Sequence, residues 1–194
     1  MYYEIAKVSI SNRNIIIEED KLNNYIADSI KNKTELYHSV YKYDETIIEH
    51  FKKASTIRNF RGTIQLPFLI FDIDRAKNTD ELVLLRAREF INKLIDDWQL
   101  FHDNISVWYS GTGYHVYIHN YFGDTFCDRT VIKNTMSRYF SESDPAIYGA
   151  TGLIRAPYSL NLKSGLYKIP LTSEEIFKLN HIQIMELAKS NDIR

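Results

Sequence analysis

The chain has 194 residues, 24 of them basic and 25 acidic, for a formal net charge of −1. That length suits one ordinary domain with a core of its own, and 44% hydrophobic and 13% aromatic residues with seven Gly and four Pro exclude disordered, collagen-like and linker-rich chains. A single cysteine, Cys127, excludes a disulfide framework and a cysteine-built zinc knuckle and points to a reducing compartment.

Near-neutral charge leaves any nucleic-acid binding to a local patch. The start Met1-Tyr2-Tyr3-Glu4 lacks the charged and apolar regions of a signal peptide. No apolar run approaches the ~18 residues of a membrane span. The expectation is a cytoplasmic protein of bacterial, archaeal or phage origin, with no membrane contact.

In chain order, Ile5–Ile10 and Ile15–Ile17 read as two strands around a polar turn. Leu22, Tyr25, Ile26 and Ile30 follow at helical spacing, and a second helix begins near Glu45. Leu66–Phe71 is a short apolar run of the buried-strand kind, ending in Asp72-Ile73-Asp74. Thr79 to Trp98 is helical, with Leu82, Leu85, Phe90, Leu94, Ile95 and Trp98 as its apolar stripe and Asn78 or Thr79 as N-cap. Ile105–Tyr109 and Val116–Ile118 flank Ser110-Gly111-Thr112-Gly113 as a hairpin. Asp128–Phe140 is a further helix, and Leu153–Arg155 and Leu166–Ile169 are short strands around a loop. Thr172-Ser173-Glu174-Glu175 opens a last helix running to about Lys189. Strands, helices and a hairpin mixed in this way predict an α+β fold.

Three segments carry candidate chemistry. Asp72 and Asp74, two apart on a strand, point to one face about 7 Å apart and offer oxygen ligands to a divalent cation; an ordinary strand-ending turn explains them equally well. Ser110 and His115 stand on opposite legs of a hairpin whose glycines free backbone N–H groups for an anion, although a glycine-rich turn with an incidental His is the simpler account. His119 lies on the face of His115 and Tyr117. From Asp144 to Gly165, Arg155 and Lys163 bracket a loop that can return two cations to one site, as a polyphosphate would need. Lys168 reads as a solvated surface charge. Arg58 and Arg61, after Lys52 and Lys53, form the densest basic stretch and are candidates for a template backbone, with Phe60 between them.

The ordered set Phe71-Asp72-Ile73-Asp74, Ser110-Gly111-Thr112-Gly113-Tyr114-His115, then Asp144 thirteen residues before Pro157 in Arg155-Ala156-Pro157-Tyr158-Ser159-Leu160-Asn161-Leu162-Lys163-Ser164-Gly165, resembles the archaeo-eukaryotic primase superfamily. Tyr37-His38-Ser39-Val40-Tyr41 resembles a tyrosine-rich segment upstream of that family's first motif, so the likeness spans about Tyr37 to Gly165. It implies a mixed or antiparallel sheet of the RNA-recognition type with flanking helices. It also implies that Asp72, Asp74 and Asp144 are the catalytic carboxylates holding two Mg²⁺ or Mn²⁺ ions, without zinc. Ser110, His115, Arg155, Asn161 and Lys163 are then the triphosphate-binding residues.

The implied activity is a DNA primase or primase–polymerase core making short primers on single-stranded DNA from NTPs or dNTPs. A helper is expected beside it, either a primase large subunit, a helicase or a single-strand-binding protein. Asn161 replaces the family's usual His, and Thr112 stands where a basic residue often sits, both removing positive charge near the phosphates. Asp124 and Asp128 share the interval with Asp144 and remain alternatives for the third carboxylate.

Rival readings are a primer-extending repair-type polymerase, a non-catalytic replication accessory module, and a phosphatase of the haloacid dehalogenase type. The last also begins with a strand and Asp-x-Asp, but Ala76 stands where its motif has Thr or Val. The chain is read as one catalytic domain, with an N-terminal part over about 1–60, a metal-site core over about 61–170 and a C-terminal helix over about 172–190.

Overall fold

The structure, a computed structural model, describes residues 1–74, 78–119, 128–140, 143–149 and 152–192. Asp124, Cys127 and Ala76 lie outside the described residues. The chain opens with β1 (Tyr2–Lys7), β2 (Ile15–Glu18), α1 (Leu22–Asn32), β3 (Leu36–Ser39), β4 (Lys42–Tyr43) and α2 (Thr46–Ala54). It continues through β5 (Ile64–Gln65), β6 (Phe68–Ile73), α3 (Asp80–Asp96), β7 (Ile105–Tyr109), β8 (Tyr114–His119) and α4 (Arg129–Tyr139). The last part holds β9 (Leu153–Arg155), β10 (Leu160–Asn161), β11 (Leu166–Tyr167), β12 (Ile169–Leu171), α5 (Ser173–Lys178) and α6 (His181–Leu187).

Among the described residues every strand pairing is antiparallel, and helices flank the sheets, so the expected α+β class holds. The first sheet is centred on β1. It carries β2 on one edge and both β3 and β4 on the other, with β9 beyond β3 and β5 beyond β4. The second runs β12-β7-β8-β6, which leaves β6 at its edge. The phosphatase alternative needs a doubly wound parallel sheet, which this pairing does not provide.

Apolar spacing explains the packing. In α3 the buried positions are Val83, Leu84, Ala87, Phe90, Ile91 and Leu94, recurring at three- and four-residue intervals. The expected stripe is corrected in its first turn: Leu82 and Leu85 are exposed, because the 83-87-90-94 row faces the sheet. Phe71 of β6 meets Phe90 at 4.6 Å and Phe140 at 4.8 Å between ring centroids, and Trp98 reaches Phe140 at 4.8 Å. This aromatic cluster fixes β6 beneath α3 and the end of α4.

Three elements differ from the sequence reading. The first strand spans Tyr2–Lys7 and stops at Val8, whose φ of 66° lies in the left-handed region that a β-branched residue rarely enters. The strand expected over Leu166–Ile169 is two: β11 pairs with β10, and β12 pairs with β7. Between them Lys168 turns inward instead of outward. The single last helix is also two. Asn180 caps a second helix in a reciprocal box with Gln183, while Arg88 donates to the carbonyls of Ile176 and Leu179 at 2.7 and 2.6 Å and so closes the first.

Candidate active site

β6 and β8 place the first two groups. Asp72 faces His115 directly across the pair, and His115 Nε2 lies 3.5 Å from Asp72 Oδ1. The Asp72 side chain is 16% exposed and the His115 side chain 7%. Asp74 follows beyond the end of the strand and is exposed. The β7–β8 turn packs against it: a Cβ on Gly113 would stand 2.5 Å from the Ile73 carbonyl oxygen and 3.2 Å from Asp74 Cα. Only glycine permits that approach. Gly111, at φ 92°, supplies the reversal.

The free edge of β6 places the third carboxylate. Ser143 Oγ accepts from the Asp72 amide at 3.0 Å, and the Asp144 amide donates to the Asp72 carbonyl at 2.9 Å. Two residues back along the strand, the buried Tyr148 hydroxyl accepts from the Ile70 amide at 2.6 Å and donates to the Ile70 carbonyl. Segment 143–148 thus covers an edge that would otherwise present unpaired backbone groups, and it holds Asp144 beside Asp72. Asp144 also caps the short 3₁₀ turn Pro145–Tyr148, its Oδ1 accepting from Ala146 N at 2.8 Å. Asp128 lies elsewhere. Its Oδ1 accepts the Thr130 and Val131 amides as the N-cap of α4.

Electrostatics link the three carboxylates. Burial, with Asp74 and Asp144 as like charges, pushes the Asp72 carboxyl up to about 7 against the pull of Lys168. Burial and then Asp144 raise Asp74, opposed by Lys163. Asp72 Oδ1 is buried with no hydrogen-bond partner, as is His115 Nδ1. His115 is held neutral, well below its ordinary value, by burial and by Lys168, Arg155 and His38.

A cavity of about 240 Å³ gathers Asp72, Asp74, Ser110, Thr112, His115 and Arg155. Within it the expected phosphate ligands are partly committed. Ser110 Oγ accepts from Gly113 N and donates to Gly113 O, both at 3.1 Å, closing its own turn. The Gly113 amide is therefore spent inside the hairpin. Arg155 donates to Glu35 Oε1, the Leu160 carbonyl and the Tyr37 hydroxyl, each at 2.9 Å, with its guanidinium 4.8 Å from the centre of the Tyr37 ring. Buried Asn161 donates to the Ser110 carbonyl at 3.3 Å and accepts from Lys163 N at 3.1 Å, tying the following loop to the hairpin. Lys163 is exposed. Arg58 and Arg61 part company: Arg61 lines a second cleft described below, whereas Arg58 does not.

Lys168 overturns the surface reading. It is fully buried, its ammonium donating to the Tyr117 hydroxyl at 2.7 Å and the Arg155 carbonyl at 2.6 Å. Burial and Arg155 push it well below its ordinary value, with Asp72 opposing. The signal was present: Lys168 is the lone charge in the run Leu166-Tyr167-Lys168-Ile169-Pro170-Leu171. Ser143, Tyr148 and Glu35 had no comparable mark, because their roles arise from contacts 71, 78 and 120 residues apart in sequence.

Among the described residues no group of three or more His, Cys, Asp or Glu side chains forms a ready-made metal cage, and none of the described helices is long and apolar enough to cross a membrane. No family model matches the chain, and no curated protein matches it. Among solved structures, the polymerase domain from Mycobacterium tuberculosis ligase D in complex with DNA is similar at 15% identity and a TM-score of 0.46. That likeness covers 81% of this chain, which spans 61% of the other. It bears on neither activity nor residue roles.

Proposed function

We propose that the protein is a template-directed nucleotidyltransferase, the catalytic core of a primase or primase–polymerase acting on single-stranded DNA. The observation that carries this reading is that Asp72, Asp74 and Asp144 stand near enough beside the Ser110–His115 hairpin to act on one another's charge, Asp144 being tied by its amide to the Asp72 carbonyl. Burial, and then their like charges, raise two of the carboxyls, and one buried oxygen lacks a partner. A divalent cation supplies what such a cluster lacks. Hard carboxylate oxygens suit Mg²⁺ or Mn²⁺, and Mg²⁺ is typically held by one or two carboxylates plus substrate phosphates instead of an all-protein cage. Asp72 and Asp74, with Asp144 beside them, would hold two such ions; bound there, they would lower the barrier at the attacking hydroxyl and at the leaving pyrophosphate.

The chain's own residues do the rest. The triphosphate lies against the hairpin, with neutral His115 as a hydrogen-bonding partner and Lys163 bringing positive charge near Asp74. Arg155 shares its guanidinium between Glu35 and a phosphate. The role of Asn161 is to hold the hairpin in register. A helper subunit supplies template affinity beyond what a near-neutral chain provides.

Incubating the protein with unprimed and primed single-stranded DNA, Mn²⁺ or Mg²⁺, and ribo- or deoxynucleotides tests the reading. New strand on unprimed template supports a primase. Extension of primed template alone supports a polymerase core without initiation, and absence of product on both overturns the nucleotidyltransferase reading.

A further inference from the structure

A second cleft, of about 750 Å³, opens at the C-terminal end of the 3₁₀ turn that Asp144 caps. One wall is the loop Asn59–Gly62 and the other is the first two turns of α4, with Tyr148 and Gly149 at the floor. Among the described residues three cations line it, Arg61, Arg129 and Lys133, against one carboxylate, Asp128. Asp128 is already occupied by the Thr130 and Val131 amides, so the capped helix end offers little, and the attraction for an anion comes from the side chains. Arg129 and Lys133, four apart on a helix, project from the same face.

The walls are built. Buried Phe60 packs edge-on against Tyr43 at 5.7 Å and His50 at 5.5 Å. A Cβ on Gly62 would stand 2.2 Å from the Phe60 ring, so only glycine lets the loop fold over that ring and carry Arg61 outward. The Arg129 guanidinium lies 5.4 Å from the centre of the same Tyr43 ring. Tyr43 therefore fixes both walls at one separation.

We propose that this cleft holds the phosphodiester backbone of a single strand of nucleic acid. Its cations are spread over two walls of an open trough, a pattern that follows a chain of phosphates better than it encloses one. Its floor residue Tyr148 is bonded to Ile70, two strand positions or about 7 Å from Asp72. The cleft and the third carboxylate thus sit at the two ends of one short segment, with Asp144 capping its start and Tyr148 closing it. The binding is sequence-independent and separable from chemistry, although its link to the carboxylates rests on the nucleotidyltransferase reading.

The test is fluorescence anisotropy of labelled oligo(dT) with the full chain over a salt series, without metal or nucleotide. Arg61 and Lys133 are exposed, so Arg61→Ala with Lys133→Ala leaves the fold intact, and Lys31→Ala on α1 serves as a surface-charge control. The double variant is expected to bind roughly tenfold more weakly and to flatten the log–log salt slope by about 1.4, or 0.7 per lost phosphate contact, with the control unchanged. Lys133→Glu should weaken binding further. Equal loss in the control, or unchanged affinity and slope in both cleft variants, overturns the proposal. Asp72→Asn with Asp74→Asn, measured alongside, should bind DNA yet lack synthesis. If the wild type makes no product while the cleft variants still lose DNA, the functional reading fails and the cleft stands.

Discussion

Lys168 donates to the Arg155 carbonyl at 2.6 Å and to the Tyr117 hydroxyl at 2.7 Å, so a fully buried ammonium braces the arginine strand behind the carboxylates. Its positive charge also pulls Asp72 downward. Lys168→Met removes that pull, and the Asp72 carboxyl should titrate above about 7, followed by carboxyl ¹³C NMR. A midpoint that stays or falls contradicts this role.

Asp72 makes stability depend on pH. A carboxyl whose value is raised from 3.8 to about 7 on folding favours the fold when protonated. That contribution is complete below about pH 4 and is lost as pH rises through 7. The upper bound is roughly 4 kcal/mol. Asp72→Asn should therefore be more stable than wild type in urea at pH 8, with the gap shrinking by pH 4.5. A gap that is constant across this range would contradict the assignment.

Tyr148→Phe removes a buried hydroxyl that both donates to and accepts from Ile70. Leaving two backbone groups unpaired should cost about 1–3 kcal/mol, lowering Tm by roughly 2–4 °C per kcal/mol for a chain of this size. The same change loosens the segment that carries Asp144. Protection of the fold by Mn²⁺ should weaken alongside the loss in Tm, and a stability loss with unaltered Mn²⁺ protection would separate the two.

Two glycines give a contrast. Gly113→Ala forces a Cβ onto the Ile73 carbonyl oxygen, whereas a Cβ at Gly165 meets nothing within 4 Å and bears only the strain of φ 72°. Gly113→Ala should cost about 1–3 kcal/mol and displace the hairpin from Asp74; Gly165→Ala should cost about 1–2 kcal/mol and leave the site intact. Chemical shifts around His115 distinguish them.

The pattern of apolar and polar residues makes β6, the β7–β8 hairpin and α3 legible, because each announces itself by a periodicity within its own residues, whatever it packs against. Asp72, Asp74 and the hairpin could be read from the same local periodicity. The docking of Asp144 on the β6 edge could not, since it depends on the Ser143 and Tyr148 hydroxyls meeting backbone groups more than seventy positions away. Lys168 reads as a surface residue by its charge, while the apolar residues on both sides of it carry it inside. The commitment of Arg155 to Glu35 and Tyr37 depends on β3 lying beside β9, a pairing that no local pattern announces.

The most direct measurement is template-directed nucleotide incorporation by wild type beside Asp72→Asn, Asp144→Asn and Asp128→Asn, each first shown to be folded. Incorporation that falls on the order of 10²–10³-fold in the Asp72 and Asp144 variants, and stays near wild type in the Asp128 variant, is the predicted result. Full activity in either of the first two, or a loss confined to Asp128→Asn, would contradict the carboxylate cluster assigned here.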